Sequence, residues 1–474
     1  MIVKCTKTTL DVRAVVPLAA LWLVFVVTAV LGGNSREDFP GLIVLYPFVV
    51  LAAAAAVLTT RQIDWTRVSA QLAVLGALAA IALFQLMPLP ESVWSMLPER
   101  SQWTAGSRAA GVMPGWLPLS ISPSLTLDAL VSLIVPSAFL VAIASVPRRQ
   151  ARHLVWAVLG AMLMSAVFGA AQYAAGGRSI FSIHPFYSLG EASGLFANRN
   201  HQALFLALAP PIASIVLTTG ETARRHAGAA LMIFTGLSVL IALTVLMTGS
   251  RAGTITFAIG LVLAVLTIWR GSSAFERLRQ QASGSRILIA GACALAAAFF
   301  FVLSSGRMVA IERLTAGDIG SDLRWRTLPT LIDIWSHHWA FGSGLGTFDP
   351  LYRIYEPLDL LSQSYLNHAH NDLLEMAICG GIPALLVLSI FGLWLTCRIA
   401  DALKTSDAYA IAASICVLQI LGASIFDYPL RTPLIAMIFV LVCVWLPRQS
   451  GSKDESSLPS EGRRLEKCCP VQTD

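Results

Sequence analysis

Two histidines stand two residues apart in the run His368-Ala369-His370-Asn371-Asp372. A neutral imidazole beside an amide and a carboxylate can take a proton from a hydroxyl, with one neighbour fixing its tautomer. Which neighbour does so is not legible from the spacing. The pair could also ligate a metal together with Asp372. However, no third ligand follows at helical spacing, so no metal is expected. His337-His338, earlier in the chain, read as a solvated helix face rather than as ligands.

Two further clusters supply cations and hydrogen-bond donors. Thr248-Gly249-Ser250-Arg251-Ala252-Gly253 reads as a tight hairpin that opens a helix at Arg251. Backbone N–H groups and the positive end of the helix dipole favour an anion there, and the glycines give close backbone access. The bland alternative is a lone arginine reaching for the membrane surface. Ser193-Gly194-Leu195-Phe196-Ala197-Asn198-Arg199-Asn200-His201 places Asn198, Arg199, Asn200 and His201 at the start of an apolar segment. A helix cap would explain one of these side chains, but not all of them. In Asp322-Leu323-Arg324-Trp325-Arg326 either arginine could join an anion site, followed by an amphipathic run through Trp335. Guanidiniums bind diphosphate in a bidentate manner and stabilise charge developing on a departing one. Together these groups suit transfer from a lipid diphosphate to a hydroxyl. The glycine run at 342–348 resembles a nucleotide loop only on paper, because no strand–helix frame and no Lys-Ser/Thr accompany it.

The elements that must position these groups are membrane helices. Of the 474 residues 56% are hydrophobic and 13% charged, and mean hydropathy is +0.70. Soluble domains carry roughly a quarter charged residues, so a soluble fold is excluded. A helical span needs about 20 apolar residues. Twelve segments qualify: 14–31, 41–58, 69–89, 126–146, 154–174, 202–218, 228–247, 253–269, 287–304, 373–396, 408–425 and 432–446. No small-x-small cleavage site follows the first, which is taken as an anchor. Most of the 33 Lys and Arg fall in segments that share one side if both termini are cytoplasmic. Three longer loops, 90–125, 175–201 and 305–370, then lie outside and hold the polar clusters. The expectation is an all-α polytopic membrane protein of about 12 helices, with its chemistry on the extracytoplasmic face.

Other readings weaken against the same residues. The eight cysteines sit in or beside apolar spans or at the chain ends, so no disulfide scaffold is expected. A transporter would show repeats and acids near the membrane midplane. No repeat is evident, and Asp128 and Glu375 fall near span ends. Pro210-Pro211 is the one strong helix break, read as a kink. Residues 1–448 form one membrane domain, and the Ser- and charge-rich tail 449–474 reads as disordered.

The stretch 190–390 resembles the O-antigen ligase/O-antigen polymerase superfamily of bacterial inner-membrane proteins. The resemblance is carried by SGLFANRNH, by TGSRAG, and by a long loop in which an arginine precedes an aromatic-rich helix. Gly344–Phe348 follows, and His370-Asn371-Asp372 closes the loop. The chain departs from the family pattern at Cys379, where an acidic residue is common (Glu375 lies one turn earlier), and at Trp339, where proline is common. The resemblance implies a metal-independent, cofactor-free glycosyltransferase of the bacterial inner membrane with its site facing the periplasm. It implies an undecaprenyl-diphosphate-linked glycan as donor and a glycan or lipid A–core acceptor, with no nucleic-acid partner. Arg251 and Arg324 would be catalytic cations and His370 the base. Arg326, Arg199, Asn198, Asn200, His368, Asn371 and Asp372 would line the substrate site. Ligase is the leading expectation; a repeat-unit polymerase, a protein O-oligosaccharyltransferase and a transporter are the alternatives.

Overall fold

A computed structural model describes residues 11–36, 38–97, 100–112, 115–176, 191–271, 323–361 and 366–447. The span expected at 287–304, the tail 449–474, His184, Cys5, Cys293, Cys468 and Cys469 lie outside the described residues, as do the loop segments 177–190 and 305–322. The fold is all-α. Its helices are α1 (Val12–Leu31), α2 (Gly41–Thr59), α3 (Ser69–Leu86), α4 (Pro123–Ser132), α5 (Ile134–Ala144), α6 (Leu154–Ala174), α7 (Arg199–Ala207) and α8 (Ala209–Thr219). They continue with α9 (Ala227–Met247), α10 (Arg251–Gly271), α11 (Leu323–His338), α12 (Phe348–Tyr355), α13 (Asp372–Leu403), α14 (Ala408–Ser424) and α15 (Pro433–Trp445). Among the described residues nine helical stretches are long and apolar enough to cross a membrane, and α14 and α15 are shorter apolar helices. Each coincides with an expected span. Among the described residues the strands are one two-residue antiparallel pair, β1 (Pro88–Leu89) with β2 (Leu117–Pro118).

The α7–α8 segment is the axis of the bundle. Its apolar window is 89% buried, whereas the other candidate spans range from 17% to 44%. Pro210 and Pro211 sit in the first turn of α8, where missing N–H groups cost little, so the break is a bend between two helices. A Cβ on Gly253 would collide with Ala203, and one on Gly260 would meet the Ala207 carbonyl, so α7 and α10 run parallel at close range. Gln419 of α14 donates to the carbonyls of Ala207 (2.9 Å) and Thr256 (3.0 Å), joining three helices inside the apolar bundle. These contacts align α7, α10 and α14, with the first turns of α7 and α10 at one end.

The second break was not expected. Gly381 interrupts α13 with φ 60°, ψ −158°, and Pro383 lacks an N–H. Helical continuity through this point would have paired the Ile378 carbonyl with the Ile382 N–H, and Pro383 has no N–H to offer the Cys379 carbonyl. Instead Ile382 donates to the Trp339 carbonyl at 2.8 Å. Ser343 donates to Ile378 O (3.2 Å), and Gly344 (3.0 Å) and Gln85 Nε2 (2.8 Å) donate to Cys379 O. Gln85, fully buried at the end of α3, also donates to Phe341 O (2.9 Å) and accepts from Leu345 N–H (2.8 Å). Gly342, Gly344 and Gly346 all have positive φ, and a Cβ on Gly342 would collide with the Cys379 carbonyl. The glycine run is therefore a backbone plug that fills the gap in α13. A transporter would leave such freed carbonyls to a cargo; here the chain takes them itself.

Gln85→Leu removes a donor from the part-buried Phe341 carbonyl and, in the interior, leaves the Cys379 carbonyl with a single donor and the Leu345 N–H unpaired. Each buried loss costs about 1–3 kcal/mol. A clear fall in the thermal unfolding midpoint of the detergent-solubilised protein is expected, larger than for Gln62→Leu on the surface.

Candidate active site

The site is built on Tyr428, in the connection between α14 and α15. Three histidine rings surround its ring: His368 at 4.2 Å between centroids, His370 at 5.1 Å, and His201 edge-on at 5.1 Å. Asn198 and Asn367 hydrogen-bond its side chain, and burial together with the charge of Asp427 pushes the phenol well above its usual range. Tyr428 is thus a neutral hydroxyl that ties the α7 cap to the end of the long loop.

Each histidine is held through a separate contact. His370 Nδ1 lies 3.3 Å from Asp427 Oδ1, which also accepts from the Tyr428 N–H at 3.0 Å. His368 Nδ1 faces both Glu375 oxygens at 3.0 and 3.2 Å. His201, 1% exposed, meets the Thr432 hydroxyl at 2.8 Å through Nδ1. Nδ1–H donation to the carboxylate would leave Nε2 of His370 as the basic atom. His370 also has φ 49°, the one non-glycine residue with positive φ among the described residues. Its backbone is left-handed, at a cost of about 1–2 kcal/mol, and the adjacent helix start fixes it there. Asn371 caps α13 by accepting from Leu374 N–H at 2.9 Å.

Behind the histidines lies a buried ionic layer. Glu375 is 1% exposed, accepts from Ala369 N–H (2.9 Å) and faces Arg431 Nη2 at 3.3 Å. Arg431 Nε also lies 3.6 Å from Asp372. Asp372 therefore braces the site from behind and does not line it. Glu375, expected near the membrane surface, is buried against the Arg431 guanidinium and the His368 ring; Asp128 is exposed.

The other expected residues are distributed unevenly. Arg251 opens α10, half-buried, after a Ser250 that accepts from Gly253 N–H at 3.2 Å. It shares the end of the bundle that carries the histidines. Asn198 caps α7 through Asn200 N–H (2.8 Å) and reaches Tyr428. Asn200 is half-buried in the same turn. Arg199 is paired with Glu191, and Arg326 with Asp359 at 3.2 Å. Arg324 lies in the first turn of α11, and its side chain is outside what the structure describes. Of the two histidines expected on a solvated face, His337 is half-buried and His338 is 8% exposed; burial, with Arg100 and His337 nearby, lowers the His338 pKa to about 4. Gly194, φ 57°, is glycine by necessity: a Cβ would strike Gln202 and Ser165. Gln172 accepts from Gly194 N–H at 2.7 Å and donates to its carbonyl at 3.1 Å, which holds the loop before α7.

Residues 236–389 match the family model described as O-antigen ligase. The match places this stretch in the O-antigen ligase superfamily. It runs from α9 through the long loop to the middle of α13, and it contains Arg251, Arg324 and His370. Comparison with curated proteins gives no match. A glycosyltransferase of ligase or polymerase type, acting on glycans in a bilayer setting, is what this family match supports. His201, in the first turn of α7, and Asp427, Tyr428 and Arg431, in the α14–α15 connection, lie outside the matched stretch and pack against its histidines and acids.

Asp427, Tyr428 and Arg431 were missed from sequence. The available signal was Asp427-Tyr428-Pro429-Leu430-Arg431-Thr432, which sets an acid and an arginine in a short connection between two apolar helices.

Asp427→Asn should keep the protein folded but lower transfer by about 10²-fold or more, with a changed pH profile, because the amide can hold either tautomer of His370. Tyr428→Phe should cost less, since the ring contacts survive.

Proposed function

We propose that the protein moves a glycan from undecaprenyl diphosphate to an acceptor hydroxyl, such as a sugar of a lipopolysaccharide core. The observation that supports this most directly is the His370–Asp427 pair at the bundle end that also carries the first turn of α10 and Arg251. In this reading the acceptor oxygen attacks the anomeric carbon of the donor sugar. The bond between that carbon and the diphosphate oxygen breaks, and undecaprenyl diphosphate leaves with the electron pair. The hydroxyl proton passes to Nε2 of His370 while Asp427 holds Nδ1–H. Direct displacement inverts the anomeric centre.

The leaving diphosphate needs fixed cations. Arg251 and Arg324 take that part, with Arg326 in reserve two residues on. The first turns of α7, α10 and α13 add the positive ends of their dipoles. Asn198, Asn200, Arg199 and His368 border the acceptor side, and Asn371 and Asp372 hold the base in register. The excess of basic residues in the opposite loops supports a periplasmic position for this end of the bundle and fits a protein of the bacterial inner membrane.

Arg251→Lys should lose most activity, because a point charge does not reproduce a bidentate fork; near-normal transfer would remove Arg251 from the diphosphate site. Transfer should persist in EDTA, and loss restored by added metal would reassign His368 and His370 as ligands. A gel and immunoblot of surface and lipid-linked glycans from a deletion strain complemented with wild type or His370→Ala tests the whole reading. Long chains stranded on the carrier mean ligase. Acceptors bearing a single repeat unit mean polymerase. An unchanged profile overturns the enzyme assignment.

A further inference from the structure

Helix α11 of the long loop has three distinct faces. Thr327, Leu331, Ile334 and His338 are buried, Leu331 and Ile334 in one apolar cluster with Ile378 of α13. A second flank is polar. There Arg326 pairs with Asp359, and exposed Asp333 offers its carbonyl to His337. The third flank carries Trp325, Leu328, Ile332, Trp335 and, just past the helix end, Trp339. The steps are three, four, three and four residues, a single stripe on an α-helix. Four of these five are well exposed: Trp325 51%, Ile332 51%, Trp335 39% and Trp339 50%. A solvated loop helix has no reason to present three tryptophans in a row to water.

The stripe is continuous with surface that belongs to membrane spans. Trp339 leads to exposed Phe341, whose ring centroid lies 6.0 Å from that of exposed Phe84 in the last turn of α3. The carbonyl of Trp339 accepts from Ile382, and from Ile382 exposed apolar side chains continue along α13 through Leu386, Ile390 and Leu393. Tryptophan is favoured where bilayer meets water, and an amphipathic helix lies there with its polar flank outward.

We infer that α11 lies in the membrane–water interface with the Trp325–Trp339 stripe inserted among the lipids, so that the bilayer itself is the partner of this face. The backbone of Arg324 and Arg326 is then held at the level of lipid headgroups. That last consequence rests on the proposed function, because a lipid-linked diphosphate sits at the same depth; the lipid contact does not.

The test uses the full chain in phosphatidylcholine–phosphatidylglycerol vesicles. In a background without the native cysteines, an environment-sensitive fluorophore is attached at Trp335→Cys or at Asp333→Cys on the polar flank. Lipids brominated near the headgroup should quench position 335 about three-fold or more beyond position 333, and aqueous iodide should do the reverse. Equal iodide quenching at both positions overturns the inference. So does shielding of position 335 from both quenchers, which would mean a protein partner or a second copy on this face. If the cysteine-free background does not fold, the native chain is compared with Trp325→Phe/Trp335→Phe/Trp339→Phe: the bromolipid-quenchable share of tryptophan emission should fall, and an unchanged share overturns it. Lipid contact with no glycan transfer would leave this inference standing and remove the proposed reaction.

Discussion

A helix inside a membrane cannot leave carbonyls unpaired, and α13 breaks in the middle of its apolar run. Everything around the site depends on how that break is satisfied. The Ile378 and Cys379 carbonyls are taken by Ser343, Gly344 and Gln85, and the Ile382 N–H by Trp339. Unsatisfied groups there would cost several kcal/mol each, so the glycine run is bound to α13 as firmly as a strand to its neighbour. This docking fixes both ends of the loop's later half. Its upstream end is the plug, and its downstream end is His370, one residue before the cap of α13.

Charge is handled by the same economy of enclosure. Glu375 and Asp372 are buried because Arg431 enters from the α14–α15 connection and His368 closes the front. Removing any one member would strand charge in the interior, which is far costlier than the pairs are stabilising. The ionic layer therefore acts as a rigid backing for the two histidines in front of it. Their separate carboxylates, Glu375 and Asp427, hold the two imidazoles in different directions.

What was legible in sequence follows from range. Apolar runs of about 20 residues declare membrane helices locally, and each described span lies where the run does. His370 and Arg251 stood out because polar residues beside apolar runs are conspicuous. The partner of His370 did not, since Asp427 is 57 positions away and reaches it only through the fold. Gln85 is more remote still, 294 positions from the Cys379 it satisfies, and a glutamine at the end of an apolar helix carries no mark of that task. The Gly381 break was hidden for another reason: Gly380-Gly381 and Pro383 are common inside membrane helices, where most such residues only bend the axis. Side chains expected to line the site, such as Arg199 and Asp372, turned out to have close intramolecular partners that no spacing rule announces.

The interlock of Gly342 with Cys379 bears on how large molecules come and go. A loop that covers a site often serves as a door, but here the segment from Trp339 to Leu345 shares its hydrogen bonds with the interior of a neighbouring helix. To swing it aside would reopen the gap in α13 to hydrocarbon. The loop's later half is accordingly part of the wall beside the histidines, and whatever reaches them comes past its edges with the wall in place.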